Sequence, residues 1–77
     1  MEEFLRYVLN SIVEFPDEVV IHKTEMPDRI SFHVALRSSD APKVIGKGGS
    51  TIRALRTLLN TSASKRNLLA TLDLIEQ

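Results

Sequence analysis

The spacing of apolar residues changes period several times along the chain, and each change marks an element. Phe4, Leu5, Val8, Leu9, Ile12 and Val13 recur at intervals of three and four, with Glu2, Glu3 and Arg6 before or between them. That pattern predicts an amphipathic helix over about residues 2 to 14, with Tyr7 partly buried on it. Phe15-Pro16-Asp17 ends it, because proline disfavours helical geometry in the residue before it. The β-branched run Val19-Val20-Ile21-His22-Lys23-Thr24 reads as a strand, and Met26-Pro27-Asp28 supplies turn chemistry. After that turn Ile30, Phe32, Val34 and Leu36 alternate with Ser31, His33, Ala35 and Arg37, as in a strand with one buried face. Ser38-Ser39-Asp40 offers helix caps, of which Asp40 is the simplest choice, and Pro42 suits a first helical turn, so a short helix runs to about Ile45. Ser50 or Thr51 caps a further helix with Ile52, Leu55, Leu58 and Leu59 on one face, reaching Ala63 or Lys65. Leu68, Ala70, Leu72 and Leu74 then alternate with mixed positions in a last strand ending at about Ile75.

The order helix, strand, strand, helix, helix, strand describes an α+β arrangement, with helices packed on one face of a three-stranded sheet. No repeat, linker or low-complexity tract interrupts it, so residues 1–77 read as a single domain. A chain of 77 residues buries roughly 60% of its unfolded surface, a thin margin for a core. There is no cysteine to add disulfides or thiolate metal sites, which points to a reducing, cytoplasmic setting. The start MEEFLRYVLN is acidic and amphipathic, unlike a signal peptide, and no apolar run spans a membrane.

Ten basic and ten acidic residues cancel overall, but not locally. From Met1 to Asp40 four basic residues face eight acidic ones, a net of −4; the remainder carries six against two, a net of +4. Lys43, Lys47, Arg53, Arg56, Lys65 and Arg66 all fall in a segment without any acid. The chain's three glycines, Gly46, Gly48 and Gly49, lie inside that segment. Three glycines exceed what a helix cap needs. Bracketing Lys47, they let the backbone turn tightly between two helices and leave its amides open to an anion at the start of the second helix, with Lys47 adding charge. The Walker A order places its lysine after the glycines, between a strand and a helix, and G-x-G-x-x-G cannot be drawn from these residues, so both nucleotide-enzyme patterns are excluded.

Val44-Ile45-Gly46-Lys47-Gly48-Gly49-Ser50-Thr51-Ile52-Arg53-Ala54-Leu55 resembles the V-I-G-x-x-G-x-x-I signature of the KH (hnRNP K homology) RNA-binding domain. The element order resembles the type II form of that domain, and the length is similar to the small single-KH bacterial proteins of the KhpA/YlqC family. The resemblance covers essentially the whole chain and is most specific from Asp40 to Asn60. It implies a type II KH fold and a clamp in which Gly46, Lys47, Gly48 and Gly49 hold the backbone of about four nucleotides of single-stranded RNA. It further implies that Lys43, Arg53 and Arg56 attract phosphate along the flanking helices. Val44, Ile45 and Ile52 would pack beneath the loop and shape an apolar groove wall. Family members often carry a basic residue just after the loop, where this chain has Ser50, whose hydroxyl can cap the helix or meet a phosphate, next to Thr51. The resemblance also implies a homodimer or a heterodimer with a Jag-like KH protein, and a role in post-transcriptional regulation or as an RNA chaperone in the bacterial cytoplasm.

Other readings stand beside this one. A helix-turn-helix also joins two helices by a glycine turn, but the first helix here is too short for it. The GKGG edge could instead serve protein association, with RNA binding secondary. Lys65-Arg66 fits a solvated loop and an RNA contact equally well. His22 and His33 lie on neighbouring strands without a third metal ligand in sight, and read as polar-face strand residues. One tyrosine and three phenylalanines, none in the basic segment, leave no aromatic platform for stacking bases, so a single domain should bind weakly and gain from pairing. No nucleophile and base pair up, so no catalytic activity, small-molecule substrate, cofactor or metal is expected.

Overall fold

The structure is a computed structural model and describes residues 1–76. Its elements run α1 (Glu2–Ile12), β1 (Val20–Met26), β2 (Arg29–Leu36), α2 (Ala41–Ile45), α3 (Ser50–Ser64) and β3 (Leu69–Glu76), with single 3-10 turns at Pro16–Glu18 and Lys47–Gly49. This is the expected α+β order, and it matches a type II KH fold. The sheet is mixed, in the order β1-β2-β3: β1 pairs antiparallel with β2, and β2 pairs parallel with β3. A parallel neighbour needs a long crossover, and α2 with α3 supplies it.

The alternation in β2 sets the two faces. Ile30, Phe32, Val34 and Leu36 are buried, and their neighbours across the sheet, Ala70 and Leu72, are buried with them. Against this layer pack Leu5 and Leu9 of α1, Ala41 and Val44 of α2, and Ile52, Leu55, Leu59 and Ala63 of α3. Burying each large aliphatic or aromatic side chain stabilises the fold by roughly 1.5–3 kcal/mol. The opposite face carries Val20, His22, Ser31, His33, Thr71 and Asp73. His22 and His33 are direct cross-strand partners there, and His33 Nε2 lies 3.8 Å from Asp73 Oδ2. No three side chains of metal-ligating type gather in a cation-holding arrangement among the described residues. No helix among them is long and apolar enough to cross a membrane.

Several local expectations change. The first helix stops at Ile12, and Val13 is already extended at φ −80° and ψ 154°. The amides of Glu14 and Phe15 turn instead to the carboxylate of Asp40. Tyr7 is 65% exposed, not partly buried, because Leu5 and Leu9 define the inward stripe of α1. Asp40 does sit before α2, but its side chain caps no amide of that helix. Neither Ser50 nor Thr51 caps α3: Gly49 holds the cap position in a left-handed conformation with no side-chain bond.

Candidate nucleic-acid interface

The turn between α2 and α3 is built by three glycines in conformations that other residues adopt at a cost. Gly46 has φ 78° and ψ 174°, a region essentially confined to glycine; Gly48 and Gly49 are left-handed, at φ 63° and 79°. The reasons for glycine differ. A Cβ on Gly46 would run into the side chain of Thr51 and lie 2.9 Å from its backbone nitrogen, whereas Gly48 and Gly49 face open space. Gly46 thus lets the backbone pass close to α3, and the other two leave the outer side of the turn uncovered.

The sequence predicts that the turn's amides are open to an anion, but three at the turn and its exit are bonded within the fold. Gly46 N donates to Pro42 O at 2.9 Å, Gly49 N to Gly46 O at 3.1 Å, and Ser50 N to Lys47 O. Among the described residues, the N–H groups of Lys47 and Gly48 have no acceptor within the fold. These two are the central positions of the G-x-x-G motif, so its open donors and its one cation, Lys47, coincide.

The basic residues around the turn divide by what already engages them. Lys43 Nζ lies 3.3 Å from Asp40 Oδ1 and 3.4 Å from Glu14 Oε2. Its hydrogen bond to Asp40 raises its pKa above the usual 10.5 despite partial burial, and the charge of Glu14 adds to the effect. Lys47 and Arg53 are exposed and form no ion pair among the described residues. Arg56 is exposed but bound: its Nε and Nη2 donate to Leu72 O at 3.1 and 3.0 Å. One turn further on, Asn60 accepts from Ala70 N at 2.9 Å and donates to Arg56 O at 3.1 Å. Nothing in the local pattern of α3 singles out Asn60, because Ala70, which donates to it, sits on a strand ten residues later. Lys65 and Arg66 lie exposed at the far end of α3, away from the turn.

The apolar positions divide too. Val44 is fully buried and Ile52 is 8% exposed, so both support the turn from within the core. Only Ile45, at 40% exposed, presents apolar surface that a ligand can touch. Ser50 is exposed at the first position of α3 and Thr51 is half-buried against Gly46. The GKGG turn therefore continues into the flank of α3 that bears Arg53 and Arg56, and Arg56 joins that flank to β3 through Leu72 O.

The family model described as KhpA/KhpB, KH domain, matches residues 2–74. The chain belongs to this family. RNA-binding protein KhpA of Chlamydia pneumoniae is 38% identical over 77 residues, covering 100% of this chain and 99% of the relative. The RNA-binding proteins KhpA of Oceanobacillus iheyensis and of Listeria monocytogenes serovar 1/2a are 33% and 32% identical, covering 97% and 99% of this chain and all of each relative. No solved structure matches the chain. The glycine turn, Gly46 to Gly49, lies within the residues that the KhpA/KhpB family model matches.

Proposed function

We propose that the protein binds single-stranded RNA, holding the backbone of about four nucleotides at the GKGG turn without chemical conversion of the RNA. The observation that carries this reading is the coincidence at Lys47-Gly48 of two unpaired backbone donors, a cation with no carboxylate partner, and an outer surface free of side chains. A phosphodiester oxygen fits such a place, since amide donors and a positive charge converge on it. Arg53 extends the attraction along α3, and Ile45 offers the apolar contact for a base or ribose. The relatives named as RNA-binding proteins agree with this assignment. A cytoplasmic role in post-transcriptional regulation follows from the same reading.

A single turn without an aromatic stacking platform would bind weakly, which favours pairing, either with a second copy or with another KH protein. A specific observation supports association, though not at the GKGG edge. Phe4 and Leu58, 45% and 52% exposed, border an open cavity of about 270 Å³ between α1 and α3, with Met1, Leu59 and Ser62. Leu58→Glu should convert an associated form to a monomer in sedimentation velocity while sparing the turn.

The deciding experiment compares binding of short labelled single-stranded RNAs by the wild type and by a Lys47→Asp, Gly48→Asp variant at two salt concentrations. Gly48 has open space and a left-handed conformation that aspartate tolerates, so the variant should fold. Binding by the wild type alone, weakening with salt, supports the clamp; equal binding by both proteins rejects it.

A further inference from the structure

Two hollows meet at Met1. One, of about 270 Å³, is lined by Met1, Phe4, Leu58, Leu59 and Ser62; the other by Met1, Glu2, Glu3 and Lys23. Apolar surface rims the first. Phe4 and Leu58 each leave about half of their surface uncovered there, and Tyr7, one turn beyond Phe4 on the same face of α1, is exposed as well. The second hollow is acidic: Lys23 pairs with Glu25 at 3.3 Å, whereas Glu2 and Glu3 form no ion pair among the described residues. Neither Lys65 nor Arg66, at the end of α3, lines either hollow.

Size and charge narrow the occupant. The apolar hollow is smaller than the roughly 300–1,000 Å³ of small-molecule sites, and suits a single bulky side chain of a protein partner. The carboxylates beside it repel a nucleic-acid backbone or an anionic membrane surface. A second copy in two-fold contact at this place would bring Glu2 and Glu3 of each chain toward those of the other, because such a contact sets the same patch on both sides. Opposed like charges disfavour that arrangement and favour a basic partner.

We propose that the hollow beside Phe4 and Leu58 docks a segment of another protein, which inserts one aromatic side chain and sets lysine or arginine beside Glu2 and Glu3. The hollow supplies the anchor, and the two carboxylates select among anchors by the charge of their neighbours. This inference rests on the association reading given above and names the chemistry of the partner; it does not depend on the RNA clamp. Leu58 lies eight residues past Ser50, about 12 Å along the axis of α3, so the turn and the hollow can be occupied together.

The chain has no tryptophan, so a tryptophan carried by a peptide reports its own burial by fluorescence. The probes are the capped peptide Gly-Lys-Ala-Trp-Lys-Ala-Gly, its counterpart with both lysines replaced by glutamate, and a third with alanine in place of tryptophan. Each is titrated at low salt into the full chain, and amide chemical shifts locate the contact. The expected result is that the lysine-tryptophan peptide binds with shifts at Phe4, Leu58 and Ser62, that the glutamate peptide binds about fivefold more weakly, and that the alanine peptide does not bind. Leu58→Asn, at an exposed position, should abolish this binding and leave RNA binding unchanged, and Glu2→Gln with Glu3→Gln should make the two tryptophan peptides equal. Equal binding of both by the wild type, shifts away from the hollow, undiminished binding by Leu58→Asn, or no binding up to about 1 mM peptide overturns the proposal. Sedimentation velocity then tells its failure from that of the association reading. A dimer dissolved by Leu58→Glu keeps that reading with a second copy as the occupant, whereas a monomer removes both. Loss of RNA binding in Leu58→Asn would place the hollow within the RNA site and also overturn the proposal.

Discussion

Asp40 Oδ2 lies 3.0 Å from the backbone nitrogen of Phe15, a residue 25 positions earlier, and Asp40 Oδ1 lies 3.1 Å from that of Glu14. The carboxylate has no exposed surface. It caps two amides freed where α1 ends and sits immediately before α2, so one side chain fixes the segment after α1 to the helix that leads into the GKGG turn. Arg37 reinforces the join, stacking 4.0 Å above the Phe15 ring and pairing with Glu18.

The first prediction concerns acid stability. Burial pushes the Asp40 carboxyl up, but the two backbone donors and Lys43 outweigh it and hold its pKa below the ordinary 3.8. A depressed carboxylate contributes stability that is fully present above the unfolded value and is lost as pH falls through the folded one. Thermal melts should therefore show no Asp40 contribution to pH dependence between pH 5 and 7, and a loss of stability below about pH 4. Asp40→Asn should lower Tm by roughly 5 °C or more at neutral pH, since an amide turns its NH2 toward one of the two donors, and should flatten the acid limb. An unchanged acid limb would show that other carboxylates carry it.

The second prediction separates the two lysines near the turn. Lys43 is engaged by Asp40 and Glu14, whereas Lys47 is free beside two open amides. Lys47→Ala should weaken binding of a short single-stranded RNA by several-fold and reduce the salt slope by about one. Lys43→Ala should change the slope by much less and appear mainly as a lower melting temperature. The reverse ranking would place the phosphate nearer α2 than the turn.

How much of this was legible in the sequence depends on the range of the interaction. The alternation of Ile30, Phe32, Val34 and Leu36 and the 3.6-residue stripe of α3 are local, and they gave the right elements and the right inward faces except at Leu58, which is 52% exposed while Ala63 is buried in the stripe. The GKGG motif placed the turn because its glycines are required by backbone geometry. What escaped were contacts between distant residues. The grip of Asp40 on Glu14 and Phe15, which shortens α1, and the hold of Arg56 and Asn60 on the edge of β3 depend on register between elements. Spacing along one element carries no trace of either. The same limit holds for Val44: the resemblance placed it both beneath the loop and in the groove wall, and a motif cannot say that the side chain is fully covered.

The third prediction follows from that covering. Val44→Ala should destabilise the fold by about 2 kcal/mol in urea unfolding, because it removes methyl groups from a fully buried site. Ile45→Ala, at a 40% exposed position, should cost well under half of that. In RNA binding the order inverts: with both variants measured well below their melting temperatures, Ile45→Ala weakens the complex and Val44→Ala does not. Equal effects on binding would mean that Ile45 is not a contact surface.

The fourth prediction tests why glycine stands at each place in the turn. An alanine at Gly46 must adopt φ 78° with ψ 174° and must also push against Thr51. Strain in that region costs of order 1–3 kcal/mol before the clash is counted, so Gly46→Ala should lose at least about 2 kcal/mol in urea unfolding. At Gly48 only the left-handed conformation is at issue, about 1–2 kcal/mol, because no atom lies within 4 Å of the added methyl. Gly48→Asn, tolerant of that conformation, should recover most of this loss. If stability alone explained the glycines, RNA affinity would track unfolding free energy across the three variants. If the bare outer surface of the turn is what an RNA backbone approaches, Gly48→Asn should bind poorly while folding well, since its side chain stands beside the open amides of Lys47 and Gly48.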